Sequence, residues 1–234
     1  MHHLKDRKAV ISGGGAGIGQ AVASSLAAQG VRTAVADVQL PEIMQENIHA
    51  FKCDVSSGPS IDSLFANVQE SIGSPDMLIC CAGRGIHEKL TEGDPEKWRQ
   101  IIDVNLMGAL RMVRAFVPGM LEAGFGDVVF ISSVSAGQAY PYGGIYAATK
   151  SALEIVAETL RQEVLPTVRV SVVAPGVTNT AFFENTVSGS QSVESIGYGF
   201  ISPEEVAEAV LYALARPKGV SVNYMTVRPT GQPF

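Results

Sequence analysis

Tyr146 and Lys150 stand one helical turn apart in Tyr146-Ala147-Ala148-Thr149-Lys150, a spacing that puts a phenol and an ammonium on one helix face. A phenol with its ordinary pKa of about 10 is a poor base near neutral pH. A nearby ammonium favours the phenolate and makes it a usable acid/base. Such a pair suits the oxidation of an alcohol, or the reverse. A hydride leaves the carbinol carbon for an acceptor, and the hydroxyl proton must be taken separately. Ser133, thirteen residues before Tyr146, could hydrogen-bond the substrate oxygen and hold it beside the phenol. Asn105 precedes both, in Asp103-Val104-Asn105-Leu106-Met107-Gly108. Tyr140 and Tyr142 lack a lysine four residues later and fall in a stretch that could line a substrate pocket. The plain alternative is a structural Tyr-Lys pair on an exposed helix.

A second constellation opens the chain. Ser12-Gly13-Gly14-Gly15-Ala16-Gly17-Ile18-Gly19 follows a short apolar strand and enters a helical pattern. That is the context a dinucleotide site requires. Gly13 permits the tight turn, and Gly17 and Gly19 let backbone and helix approach closely. The N–H groups around Ile18, at the positive end of the helix, would face a pyrophosphate. Asp37 ends the next strand, eighteen residues after Gly19. Its carboxylate can accept hydrogen bonds from adenosine ribose hydroxyls and would repel the 2′-phosphate of NADP. No Arg or Lys follows at Val38, Gln39 or Leu40, Ala16 is not basic, and Arg32 lies five residues back. NAD is expected over NADP.

These residues need a scaffold, and the apolar pattern supplies one. Strands are expected at Lys8–Ile11, Val31–Asp37, Ile48–Asp54, Met77–Cys81, Val128–Ser132, Val168–Ala174 and Asn223–Arg228. Helices are expected around Ile18, Val22 and Leu26, and from Ile61 to Ile72. One long helix is expected over Pro95–Met120 and another over Tyr146–Val164. A further helix should start at Ser202-Pro203, with serine as cap. The link after Asp37 contains Pro41 and is short, so its helix should shrink to a turn or two. Apolar strands alternating with helices imply a doubly wound, Rossmann-type parallel sheet of about seven strands, helices on both faces. No linker or repeat divides the chain, so one domain over residues 1–234 is expected, with a substrate loop around 182–200.

The order of these motifs resembles the short-chain dehydrogenase/reductase family, in its single-domain branch. The glycine turn is similar to the family's Thr-Gly-x-x-x-Gly-x-Gly, with Ser12 in place of Thr. The resemblance selects Ser133 over its neighbours Ser132 and Ser135. It implies that Asn105 anchors a water joining Lys150 to solvent, and that Lys150 also binds the nicotinamide ribose. It implies that Asp54 meets the adenine amino group beside Val55. Gly83, Pro175, Gly176 and Thr180 would border the cofactor, Thr180 at the carboxamide. Cys80-Cys81-Ala82-Gly83 departs from the family's Asn-Asn-Ala-Gly, and a thiol is a poorer hydrogen-bond partner than an amide. The substrate pocket should draw on Gly85, Ile86, His87, Ser135 to Tyr142, Phe182, Phe183 and the loop to Phe200. The tail Val222–Thr230 is similar to that of relatives acting on short 3-hydroxy acids. The substrate is expected to be a small alcohol or ketone. The helices Pro95–Met120 and Tyr146–Val164 resemble those that pair across subunits, which implies a homodimer or homotetramer. The competing reading is a catalytically silent NAD-binding redox sensor. It would need loss of Tyr146, Lys150 or Ser133, and only the cysteine departure favours it.

Composition trims the other function classes. A net charge of −6 over 234 residues argues against a nucleic-acid surface. No apolar run of membrane-spanning length occurs, and Met1-His2-His3-Leu4-Lys5-Asp6 has no apolar signal core, so a cytoplasmic protein is expected. Cys53, Cys80 and Cys81 form no Cys-x-x-Cys pair and read as reduced thiols. His49 and His87 have no ligand-spaced partner, so no metal is expected. Ser-His-Asp hydrolysis fits poorly, because no strand-to-helix turn matches Gly-x-Ser-x-Gly except near Ser188-Gly189-Ser190, which is polar loop.

Overall fold

A computed structural model describes residues 4–40, 45–190 and 192–233. His2, His3 and Pro41 lie outside them, and so does most of the expected short turn after Asp37. The seven strands are β1 (Lys8–Ser12), β2 (Arg32–Asp37), β3 (Ile48–Lys52), β4 (Met77–Cys80), β5 (Gly126–Ile131), β6 (Val168–Pro175) and β7 (Tyr224–Val227). They form one sheet in the order β3-β2-β1-β4-β5-β6-β7, and every pairing is parallel. Parallel neighbours need crossovers, and helices provide them: α1 (Gly17–Ala28), α2 (Gly58–Ser71), α3 (Pro95–Ile102), α4 (Gly108–Ala123), α5 (Gly144–Glu163) and α6 (Pro203–Leu214). This is the doubly wound Rossmann-type architecture.

The central strands are apolar throughout because both sheet faces are covered. Val10, Leu78, Val128 and Phe130 point to one face, where α2, α4 and α5 contribute Leu64, Phe116 and Leu153. Ile11, Ile79 and Val129 point to the other, against Leu26 of α1 and Val210 of α6. The chain reverses its winding between β1 and β4, and the crevice beyond their carboxyl ends is where such sheets hold ligands.

Expected and observed elements share their order and differ at their ends, with one larger difference. The single helix expected over Pro95–Met120 is two helices joined by a π-helical turn, Asp103–Met107. Apolar periodicity runs through that turn unbroken, so sequence pattern could not show it. A π turn inserts an extra residue and rotates the side chains that follow, and Asn105 sits inside it. α6 begins with a full capping box: Ser202 Oγ accepts from the Glu205 N–H, and the Glu205 carboxylate accepts from the Ser202 N–H.

The opposite end of the sheet is tied by charge. Arg7, beside β1, donates to Asp76 at 2.7 Å and to Asp127 of β5 at 2.8 Å. Asp127 also accepts from Arg169 of β6 at 2.6 Å. Arg169 in turn donates to the carbonyls of Leu214 and Arg216 at the end of α6. Four strands and one helix are thus joined at their bases, away from the crevice.

Candidate active site

The first two turns of α5 and the residues after β5 bring Tyr146, Lys150 and Ser133 together. Lys150 is 4% exposed, and its Nζ donates to the Ile131 carbonyl at 2.8 Å while lying 5.9 Å from the centre of the Tyr146 ring. Ser133 is buried at the end of β5, and its Oγ accepts from the Ser135 N–H at 3.1 Å. Its hydroxyl also faces the Tyr146 phenol. Phe182 lies against the Tyr146 ring, centroids 5.6 Å apart, and Phe183 packs edge-on to Phe182.

Burial dominates the electrostatics of Tyr146 and Lys150. Burial holds the Tyr146 phenol above its ordinary pKa, outweighing the opposing hydrogen bond of Ser133. The same burial pulls Lys150 down to about 8, against the raising effect of Cys81 and Glu154. The lowered phenol is expected with cofactor bound, from Lys150 and the oxidised nicotinamide together, and burial of both side chains opposes it.

Three side-chain hydrogen bonds hold Asn105 in place. Its Nδ2 donates to the Arg84 carbonyl at 3.0 Å and to Thr149 Oγ1 at 3.1 Å, while Oδ1 accepts from the Arg84 N–H at 2.8 Å. Both amide hydrogens are therefore engaged in bracing the chain after β4 against α5.

The glycine turn meets these residues across the crevice. Ser12 Oγ accepts from the N–H groups of Cys81 and Ala82 at 3.3 and 3.4 Å, which joins β1 to the end of β4. Gly13 has φ +71°, and a Cβ there would lie 2.6 Å from Ala82 Cα. A Cβ on Gly19 would meet the Gly13 carbonyl at 2.1 Å, so the helix can start this close to the turn only with glycine. No side chain caps α1, which leaves its amino end open to an anion. Gly17 faces the Thr180 side chain, so the turn and the loop after Pro175-Gly176 border the same gap. Gly83 lies beside both Asn105 Oδ1 and Lys150 Nζ, at distances of 3.4 and 3.6 Å from a Cβ placed there.

Asp37 accepts from the N–H of Gly15 at 2.9 Å and from that of Gln39 at 3.1 Å, so its carboxylate is fixed at the rim of the turn. It has no ion pair among the described residues. Asp54 is exposed, and one of its oxygens accepts from the N–H and hydroxyl of Ser56. Val55 is buried against Gly108. All three cysteines are free. Burial raises Cys80 and pushes Cys81 up to about 12, so both thiols are protonated near neutral pH. A small sulfur is thus accommodated where the family carries amides, with the strand ends braced through backbone N–H groups. The cradle fits a dinucleotide: glycines where a Cβ would collide, an uncapped helix start, and a fixed carboxylate at the rim.

A model of the short chain dehydrogenase family matches residues 7–191. The chain belongs to the short-chain dehydrogenase/reductase family of oxidoreductases. It is similar to an uncharacterized oxidoreductase of Staphylococcus aureus, 32% identical over 237 residues covering 98% of this chain and 100% of the relative. An alcohol dehydrogenase of the archaeon Thermococcus sibiricus, solved with 5-hydroxy-NADP, superposes with TM-score 0.86 and is 31% identical, with 97% of each chain covered. The closed form of a serine dehydrogenase with NADP+ gives TM-score 0.89 at 25% identity, covering 97% of this chain and 96% of the other.

Several features of this oxidoreductase were not legible as site features in the sequence. Gly15 looked like one glycine among several, yet a Cβ there would collide with the Gln39 carbonyl and the Asp37 side chain. Thr186 Oγ1 is buried without a hydrogen-bond partner, in the loop beside Gly85. Glu88, described below, gathers donors scattered over a hundred residues. A hollow of about 1080 Å³ between α2 and α4 contains none of the expected site residues. Among the described residues no acidic, histidine and cysteine cluster could hold a metal, and no helix is long and apolar enough to cross a membrane.

Proposed function

We propose that this oxidoreductase moves a hydride between NAD and a small alcohol or ketone, a short hydroxy acid being the favoured kind. One observation carries the reading. Ser133, Tyr146 and Lys150 converge at the carboxyl edge of the sheet, and Ala82-Gly83 links them to the glycine turn, Ala82 against Gly13 and Gly83 beside Lys150. Bound nicotinamide would supply the hydride acceptor or donor. Gly13, Gly17, Ile18 and Gly19 would hold its pyrophosphate, Asp37 the adenosine ribose, and Asp54 and Val55 the adenine. Pro175, Gly176 and Thr180 would cover the nicotinamide, with Lys150 at its ribose. Ser133 orients the substrate oxygen. Tyr146 takes or returns its proton, and Lys150 moves that proton onward. The protonated thiols of Cys80 and Cys81 favour no separate redox-sensing role. Tyr146→Phe should fold, bind NADH and lose at least about a hundredfold in turnover, the low end of general acid/base contributions. Retention of most wild-type activity would overturn the assignment.

The preference for NAD rests on Asp37. A fixed carboxylate at the ribose edge, with no cation paired to it among the described residues, repels a 2′-phosphate. The exposed apolar residues Ile102, Met107 and Ile155 on or between α3, α4 and α5 support assembly into a homodimer or homotetramer.

A further inference from the structure

Outside the proton-transfer group, one carboxylate holds the substrate side of the crevice together. Glu88 follows β4 and accepts four hydrogen bonds. Its Oε1 takes the Ser188 hydroxyl at 2.6 Å and Lys97 Nζ at 3.4 Å. Its Oε2 takes the Trp98 indole N–H at 2.9 Å and the Asp94 backbone N–H at 3.1 Å. Three of these donors belong to the start of α3 and are close in sequence. The fourth, Ser188, comes from the loop after β6. A Cβ on Gly93 would lie 2.6 Å from Glu88 Oε2 and 2.8 Å from the Trp98 ring, so glycine leaves room for the cluster. The main chain follows the same seam. The His87 N–H donates to the Ser188 carbonyl, the Val187 N–H to the Gly85 carbonyl, and the Glu88 N–H to the Tyr142 carbonyl. The loop held in this way carries Phe182, the ring that covers Tyr146.

We propose that Glu88 is a positioning residue, which latches the 182–190 loop through Ser188 so that Phe182 closes the substrate pocket over Tyr146. The consequence for catalysis rests on the oxidoreductase reading above. The latch itself does not. A carboxylate is required because all four partners are donors. A carboxamide would turn an NH2 group toward one pair of them. The Ser188 arm is a hydrogen bond to a charged acceptor, strong enough to bias the loop and weak enough to release it.

The test uses the full chain and two independent readouts. Chymotryptic cleavage next to Phe182 and Phe183, followed by mass spectrometry, reports loop opening. Trp98, the only tryptophan, reports the α3 side through its fluorescence. Ser188→Ala should speed cleavage several-fold and leave Trp98 emission and NADH affinity unchanged. It should lower kcat/KM by about tenfold, the size of one charge-assisted hydrogen bond. Ser188→Thr, which keeps the hydroxyl, should restore both. Glu88→Gln should speed cleavage and also shift Trp98 emission. Unchanged cleavage in Ser188→Ala overturns the latch, even if kcat/KM falls, because Ser188 then acts in some other way. Faster cleavage with unchanged kcat/KM overturns the positioning role. Should the wild type oxidise none of the alcohols offered, the activity reading fails by itself. Equal cleavage of wild type and Ser188→Ala then still decides against the latch.

Discussion

At the residue scale, the proposed proton transfer would make Tyr146 and Lys150 one titrating unit. Burial raises the phenol and lowers the ammonium to about 8, so the two groups together lose their first proton near that pH. Below it the pair carries one positive charge, and above it none. Alcohol oxidation needs the unit to accept a proton, so its rate should rise through about pH 8 and then level off. Reduction needs the proton present and should fall over the same range. Lys150→Met should shift the oxidation profile upward, toward the phenol alone. A pH-independent rate across this range, with a deuteride isotope effect showing that hydride transfer limits, would refute the unit. Asp37 belongs to the same scale. Fluorescence titration should find NADH the tighter ligand, by roughly 1–3 kcal/mol of carboxylate–phosphate repulsion at intermediate dielectric. Asp37→Ala should narrow that gap, and equal or tighter NADPH binding by the wild type would overturn the preference.

At the scale of elements, the crevice depends on strand ends that are held at both edges of the sheet. Ser12 joins β1 to β4 at the cofactor end. Asn105, turned inward by the π segment, joins the chain after β4 to α5. At the far end Asp127 lies between two arginines, with its side chain 7% exposed. Removing it leaves Arg7 and Arg169 short of a partner in a mostly dry place. Asp127→Ala should therefore cost about 3 kcal/mol, the low end for breaking a buried pair. Urea unfolding of wild type and variant measures the difference. The site lies at the opposite edge, so NADH affinity of the folded variant should be unchanged. A loss below about 0.5 kcal/mol would place the network among surface pairs of little weight.

At the scale of the whole molecule, helices on both faces bury the sheet and leave apolar side chains outside. Ile155 of α5 is 70% exposed, with Ile102 and Met107 exposed nearby in the chain's other long helical run. Light scattering on a sizing column should give a dimer or tetramer for the wild type. Ile155→Asp should shift the mass downward, because a charge in a buried interface is unpaired. A monomeric wild type would overturn the assembly.

Much of this was already written in the chain. Strand and helix order, the parallel sheet and the glycine turn follow from local pattern, because apolar period and turn chemistry act over a few residues. Tyr146 and Lys150 share a helix, so their spacing alone placed them together. The rest depended on contacts between distant segments. The π turn leaves the apolar period intact, so only packing of Asn105 against Arg84 and Thr149 reveals it. The direction of the Tyr146 and Lys150 shifts follows from how much water the fold removes, which no spacing encodes. Glu88 is silent in sequence because its donors come from two segments that only the folded loop brings within reach. Local pattern decided the frame and pointed to the proposed proton-transfer pair, whereas desolvation and long-range hydrogen bonds decided how that pair is tuned and covered.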